Sequence, residues 1–199
     1  MASIINLLRH RWKHFRFQPR AALARYHLAM IDFTTGLGNS AWLLYGLTRS
    51  LKPATCVEIG SATGCSACHI GLAQRENVAG RLFAIDPHTA TDWNDPGSVD
   101  TLALLQHNLR RCGVDRYVDV VCATSEQEER DWTRPIDLIF IDGDHSYDGV
   151  KHDGNLFSRH LAPFGVAVFH DTTWELHAAA RTDIGVPRFL DELRRAGHP

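Results

Sequence analysis

The stretch Ile136-Asp-Leu-Ile-Phe-Ile141 is apolar at all but one of its positions and shows no polar/apolar alternation. A run of this kind must be covered on both faces, which is the situation of a central strand in a parallel sheet with helices above and below. Four further segments fit the same plan. Residues 54 to 59 (Ala-Thr-Cys-Val-Glu-Ile), 81 to 85 (Arg-Leu-Phe-Ala-Ile), about 117 to 122, and 166 to 169 (Val-Ala-Val-Phe) are short β-prone runs. They alternate with stretches of helical period at 65–75, 99–112 and 147–161, with two more helices expected upstream at 21–31 and 40–50. Ser98 is the expected N-cap of the 99–112 helix, and Asn39 or Ser40 that of the 40–50 helix. Alternation of this sort predicts an α/β fold, a Rossmann-like, doubly wound, mostly parallel sheet with helices on both faces.

At 199 residues the chain is long enough for one domain with a sizeable core. Charge is unevenly placed. Arg9, Arg11, Lys13, Arg16, Arg20 and Arg25 precede Asp32 with no acid among them, so all 23 acidic residues fall in the remainder. The division expected is a basic helical arm, 1–35, followed by a domain at 36–199. The arm's apolar start is too short to span a bilayer, and its cations follow the apolar patch, unlike a secretory signal; a cytoplasmic location is expected. Oligomer or lid formation is the first expectation for the arm, and membrane-surface contact the second. With a formal net charge of −2, nucleic acid is not an expected partner. The five cysteines include Cys65-Ser-Ala-Cys68, but no second CxxC or CxxH pair accompanies it, so they read as small reduced core residues.

Chemistry concentrates where the strands end. Val57-Glu58-Ile59-Gly60-Ser61-Ala62-Thr63-Gly64 places two glycines between a strand and a helix, a cradle in which Glu58 favours a cationic ligand and would repel a pyrophosphate. Asp86, at the end of the second strand, can accept hydrogen bonds from a ribose diol. Asp142-Gly143-Asp144-His145 follows the fourth strand and His170-Asp171 the fifth, so if those strands are neighbours their oxygen and nitrogen atoms converge on one cation.

The ordered set Glu58-Ile-Gly-Ser-Ala-Thr-Gly64, Ala84-Ile-Asp86, Ala123-Thr-Ser125, Asp137-Leu-Ile-Phe-Ile-Asp-Gly-Asp-His-Ser-Tyr147 and Val168-Phe-His-Asp171 resembles the class I S-adenosylmethionine-dependent methyltransferases. Within them it is similar to the metal-dependent small-molecule O-methyltransferases that include macrolide sugar and catechol enzymes. The resemblance implies a cofactor site formed by Glu58, Gly60, Gly64, Asp86, Thr124, Ser125 and Asp142, in which Gly60 to Gly64 pass the methionine part, Asp86 holds the ribose, and Thr124 and Ser125 lie near the adenine. It also implies a divalent metal, Mg²⁺ or Mn²⁺, on Asp142, His170 and Asp171, and His145 as the base for a substrate hydroxyl. His170 stands where the family often has a carboxylate, which moves the preference toward Mn²⁺.

The expected acceptor is a small molecule, sugar-containing or aromatic, with Trp93, Trp174 and His177 near the mouth of the cleft. A metal-dependent hydrolase or hydroxylase using the same Asp/His cluster, and a non-catalytic cofactor-binding module, are the alternatives. The resembling families continue into a final antiparallel hairpin that has no counterpart before Pro199, which leaves an edge strand for another subunit to cover and adds to the expectation of a homo-oligomer.

Overall fold

A computed structural model describes residues 23, 25–26, 28–31, 33, 37–89, 100–173 and 184–197. In chain order the elements are α1 (Ser40–Leu51), β1 (Thr55–Ile59), α2 (Cys65–Asn77), β2 (Arg81–Ile85), α3 (Thr101–Cys112), β3 (Val118–Val121), α4 (Ser125–Glu129), β4 (Ile136–Ile141), α5 (Tyr147–Ser158), β5 (Leu161–Phe169) and α6 (Val186–Arg195). The strands form one sheet in the order β3-β2-β1-β4-β5, every neighbouring pair parallel. This is the doubly wound fold expected.

Two hydrophobic layers result from the period of two along each strand. Cys56, Leu138 and Phe140 point into one core with Leu44, Ile70, Leu72, Leu105 and Leu109. Their neighbours Val57, Ile139 and Ile141 point into the other with Val150, Phe157 and Phe189. The one polar residue of the β4 run is accounted for, since Asp137 Oδ2 accepts from the backbone N–H groups of Ala54 (2.8 Å) and Thr55 (2.9 Å) and ties the start of β1 to β4. Cys56, Cys65, Cys68 and Cys112 are buried, Cys122 is exposed, and all five are free thiols, in line with a structural role. Burial pushes the thiols of Cys56 and Cys65 up to about 12, well away from reactive thiolates.

Boundaries shift where tertiary contacts decide them. The 99–112 helix starts at Thr101, capped by Asp100, whose side chain accepts from Ala103 N at 2.9 Å; Ser98 lies outside the described residues. Asn39 stands at the N-cap of α1 without a side-chain cap bond. The 147–161 helix stops at Ser158 because Ile136 N donates to His160 O (2.8 Å) and Leu161 pairs with Ile136, which starts β5 early; an irregularity in the register then separates that pair from Leu138 and Val166.

Most of the expected arm lies outside the described residues, and of those described Leu28 and Phe33 are buried in the first core. Of its cations, Arg25 forks onto Glu76 at 2.9 and 2.7 Å and also donates to Tyr45 Oη at 2.8 Å, so this cation serves the fold. Among the described residues no helix is long and apolar enough to cross a membrane.

Candidate active site

The sheet order reverses between β1 and β4, since β1 runs on to α2 and β2 on one side while β4 and β5 lie on the other. Open α/β sheets bind ligands outside the carboxyl ends of the strands at such a switch point. Glu58, Asp86, Asp142, His170 and Asp171 all stand on this edge.

The turn after β1 is built on left-handed backbone at Gly60 (φ +84°) and Gly64 (φ +90°). A Cβ on Gly60 would lie 2.2 Å from the backbone oxygen of Asp142, and one on Gly64 would lie 2.4 Å from Leu105 Cδ1. Both glycines are therefore demanded by the protein's own packing, Gly60 so that Asp142 N can donate to Ile59 O (2.9 Å) and carry the β1–β4 ladder past the strand ends. Asp86 pins the same turn. Its Oδ2 accepts from Ser61 N (2.9 Å) and Ala62 N (2.8 Å), and its Oδ1 accepts from His88 N (2.7 Å). A carboxylate offers about four acceptor positions, so Asp86 retains room for one ligand hydroxyl beside these bonds.

Beneath the turn, Glu58 is buried, and neither carboxylate oxygen has a hydrogen-bond partner among the described residues. Burial drives its pKa up to about 8; the nearby Ser66 hydroxyl pulls it down, while the charges of Asp142 and Asp86 add to the rise. A buried carboxyl without partners costs several kcal/mol when ionised, unless a cation or donor meets it.

On the β4–β5 side, His170 N donates to Ile141 O at 3.1 Å, so the parallel ladder itself sets His170 beside Asp142. His170 Nδ1 lies 3.1 Å from Asp142 Oδ1 and 3.0 Å from Asp171 Oδ1, but aims at neither with hydrogen-bond geometry. Burial would lower the ring's pKa; the two carboxylates outweigh it and push it up to about 10. One ligand atom from each of Asp142, His170 and Asp171 falls within 4.8 Å of the others. The donor set, two carboxylates and an imidazole, suits a divalent transition ion, to which a neutral His170 would give its lone pair. The two strands are thus neighbours, and the three residues expected to share a cation come together.

His145 is brought to this group by the loop between β4 and α5. Asp144 Oδ1 accepts from Ser146 N at 2.8 Å, Ser146 caps α5 by accepting from Gly149 N at 3.0 Å, and His145 O accepts from Gly185 N at 2.8 Å. The ring's Nδ1 ends 3.3 Å from Asp171 Oδ2. Gly185, absent from the sequence reading, fits only because it has no side chain, since a Cβ there would lie 2.1 Å from the Tyr147 backbone. Non-glycine residues in left-handed backbone, Ala62, His88 and Asp171, also gather at this rim, as strained residues do around sites.

Thr124 and Ser125 sit at the end of β3 as expected, but both hydroxyls have structural partners. Thr124 forms a capping box with Gln127, and Ser125 Oγ donates to Asp153 Oδ1 at 2.6 Å. Asp153, on α5, is itself buried. Trp93, Trp174 and His177 lie outside the described residues.

Residues 57–172, more than half of the chain, match the model of a methyltransferase domain family. The chain belongs to this family. The protein y4gI of Sinorhizobium fredii is 27% identical to this chain over 162 residues, 78% of the chain, while the chain spans only 17% of that relative's length. A crystal structure of a putative O-methyltransferase from Klebsiella pneumoniae superposes with a TM-score of 0.63 at 19% identity, covering 92% of this chain and 80% of that one. The O-methyltransferase TomG from Streptomyces achromogenes, involved in tomaymycin synthesis and solved in complex with S-adenosylmethionine, gives 0.62 at 20% identity, with 91% and 78% covered. At these identities the two structures establish the methyltransferase fold.

Proposed function

We propose that this methyltransferase transfers the methyl group of S-adenosylmethionine to a hydroxyl of a small molecule, sugar-containing or aromatic, with the help of a divalent cation, Mn²⁺ or Mg²⁺, on Asp142, His170 and Asp171. The observation that carries the reading is the meeting, at one sheet edge, of an unpartnered buried carboxyl under a glycine turn with a converging Asp/His/Asp group. TomG, with the same fold, binds S-adenosylmethionine. The donor is a nucleoside carrying a positive charge, and it supplies an activated methyl on a sulfonium leaving group. Asp86 offers its ribose an acceptor, the Gly60–Gly64 turn passes its methionine part, and Glu58 offers its cationic part a counter-charge.

The chain's own side chains then do three things. Asp142, His170 and Asp171 would hold the divalent ion, which would supply the positive charge that lowers the pKa of the acceptor hydroxyl. His145 takes the hydroxyl proton at Nε2, because its Nδ1 faces Asp171. Asp171 fixes the ring's orientation and stabilises the imidazolium that forms. Displacement in line with the sulfonium needs alignment and exclusion of water.

A labelled methyl donor offered with a panel of sugar-bearing and phenolic acceptors tests this. Transfer is expected for at least one class, lost in EDTA and restored by Mn²⁺ or Mg²⁺. Undiminished transfer in EDTA would remove the metal from the account, and no binding of S-adenosylhomocysteine at millimolar concentration would remove the methyl donor.

A further inference from the structure

We infer that Tyr147 and Glu192 are positioning residues, a clasp between α5 and α6 that sets the His145 loop through Gly185. The inference rests on the role proposed above for His145. Gly185, the N-cap of α6, donates its N–H to the His145 carbonyl at 2.8 Å, so the loop that carries the base leans on a helix distant in sequence.

Two kinds of contact hold α6 in place. The first is apolar: Val186 and Phe189 are buried in the second core, and a Cβ on Gly154 of α5 would stand 2.7 Å from the Phe189 ring. Apolar burial is non-directional, so it binds the helix but fixes its rotation and small slides along α5 only weakly. The second kind is polar and directional. Tyr147 Oη donates to Glu192 Oε1, while Lys151 Nζ donates to Glu192 Oε2 at 2.9 Å and to Tyr147 Oη at 2.6 Å. The Arg188 guanidinium lies 3.7 Å from the centroid of the Tyr147 ring. α6 therefore grips Tyr147 by both ring face and hydroxyl, and Tyr147 is the first residue of α5, two positions after His145.

The size of these contacts decides what they are for. The side chains of Lys151 and Glu192 are 41% and 38% exposed, and ion pairs this open to water add little to stability. What they add is register. Gly185 already lies against the Tyr147 backbone, where a Cβ would come within 2.1 Å, so α6 cannot move inward, and the clasp keeps it from moving outward. With the clasp open, the His145 carbonyl loses its donor, and the ring loses its setting 3.3 Å from Asp171 Oδ2. A misplacement of about 1 Å at a reacting group costs up to about a hundredfold in rate.

Three variants of the full chain test this. Tyr147→Phe keeps the ring and removes the hydroxyl, Glu192→Gln keeps the shape and removes the charge, and Asp191→Asn, which opens an exposed ion pair with Arg194 on the same helix, is the control. For each, hydrogen exchange of the Gly185 amide is measured together with single-turnover methyl transfer to the best acceptor of the panel above. Thermal unfolding and S-adenosylhomocysteine binding are recorded alongside. Both clasp variants are expected to speed exchange at Gly185 about tenfold or more and to lower transfer about tenfold to a hundredfold, with donor affinity and unfolding temperature nearly unchanged. Asp191→Asn should change none of these. Combining either clasp variant with His145→Ala should bring no further loss, since an absent base cannot be misplaced. Exchanging the charges, Lys151→Glu with Glu192→Lys, should restore most of the rate that Glu192→Lys alone loses. Unchanged exchange at Gly185, full transfer despite faster exchange, or an equal loss in the His145→Ala background would each overturn the inference and leave the methyl-transfer reading standing. A wild type that transfers to no acceptor defeats that reading, and the exchange at Gly185 then decides by itself whether the clasp sets the loop.

Discussion

His145→Ala is expected to lower kcat by about 10²–10⁴-fold while leaving the affinity for S-adenosylhomocysteine nearly unchanged. The size follows from the work assigned to the ring. A positioned base contributes in the transition state, where the hydroxyl proton moves to Nε2, and contributes little to ground-state binding of a methyl donor held by other residues. The ring is placed by Asp171 Oδ2 at 3.3 Å from Nδ1 and by the hydrogen bond from Gly185 N to the His145 carbonyl, so alanine removes the base without removing the loop's anchor. Single-turnover kinetics with saturating donor and acceptor separates the two quantities. A variant that turns over at the wild-type rate, or one that loses donor affinity in proportion to turnover, would take His145 out of the chemical step.

The second large effect concerns Glu58, for which stability and binding should move in opposite directions. Its pKa is about 8 in the folded protein against an ordinary 4.5, so between these values the native state holds a proton that the unfolded chain has released. Unfolding then releases a proton, and the stability contributed by this group falls as pH rises from about 4.5 to about 8, levelling off above. Glu58→Gln is neutral at every pH. It should nearly match the wild type at pH 5 and unfold at higher temperature than the wild type by pH 8 to 9, the difference being on the order of 4–5 kcal/mol. The same change removes the counter-charge for the donor's sulfonium and should weaken S-adenosylmethionine binding by tenfold or more. Thermal unfolding across pH together with calorimetry checks both. Parallel pH–stability curves for the two proteins would mean that Glu58 is not the strained buried group described here.

The fold was legible where burial is two-sided. The runs 81–85 and 136–141 match β2 and β4 residue for residue, and 54–59 misses β1 only at Ala54, because a central parallel strand writes its burial into consecutive apolar side chains. The ends that strayed depend on contacts distant in sequence: the pairing of Leu161 with Ile136 that starts β5 early, and the use of Asp100 in place of Ser98 as a cap.

Much the same division holds at the site. Acids and imidazoles at strand ends stand out in a linear chain, and the parallel β4–β5 pairing brings Asp142, His170 and Asp171 together without further information. What the chain cannot display linearly is how each group is committed. That Asp86 takes three backbone N–H groups, that Gly60 is required by the Asp142 backbone, and that the Ser125 hydroxyl is turned to Asp153 all depend on residues 24 to 82 positions apart or on local backbone twist.

The central claim is that the methyl donor lies above the glycine turn with its reactive carbon facing the Asp142/His170/Asp171 group. Nuclear magnetic resonance of ¹³C-methyl-labelled S-adenosylmethionine, bound to the protein and titrated with paramagnetic Mn²⁺, tests that adjacency most directly. The account predicts strong, saturable broadening of the methyl signal that His170→Ala with Asp171→Asn abolishes while the donor stays bound. A methyl signal that remains sharp in the bound complex at saturating Mn²⁺ would contradict it.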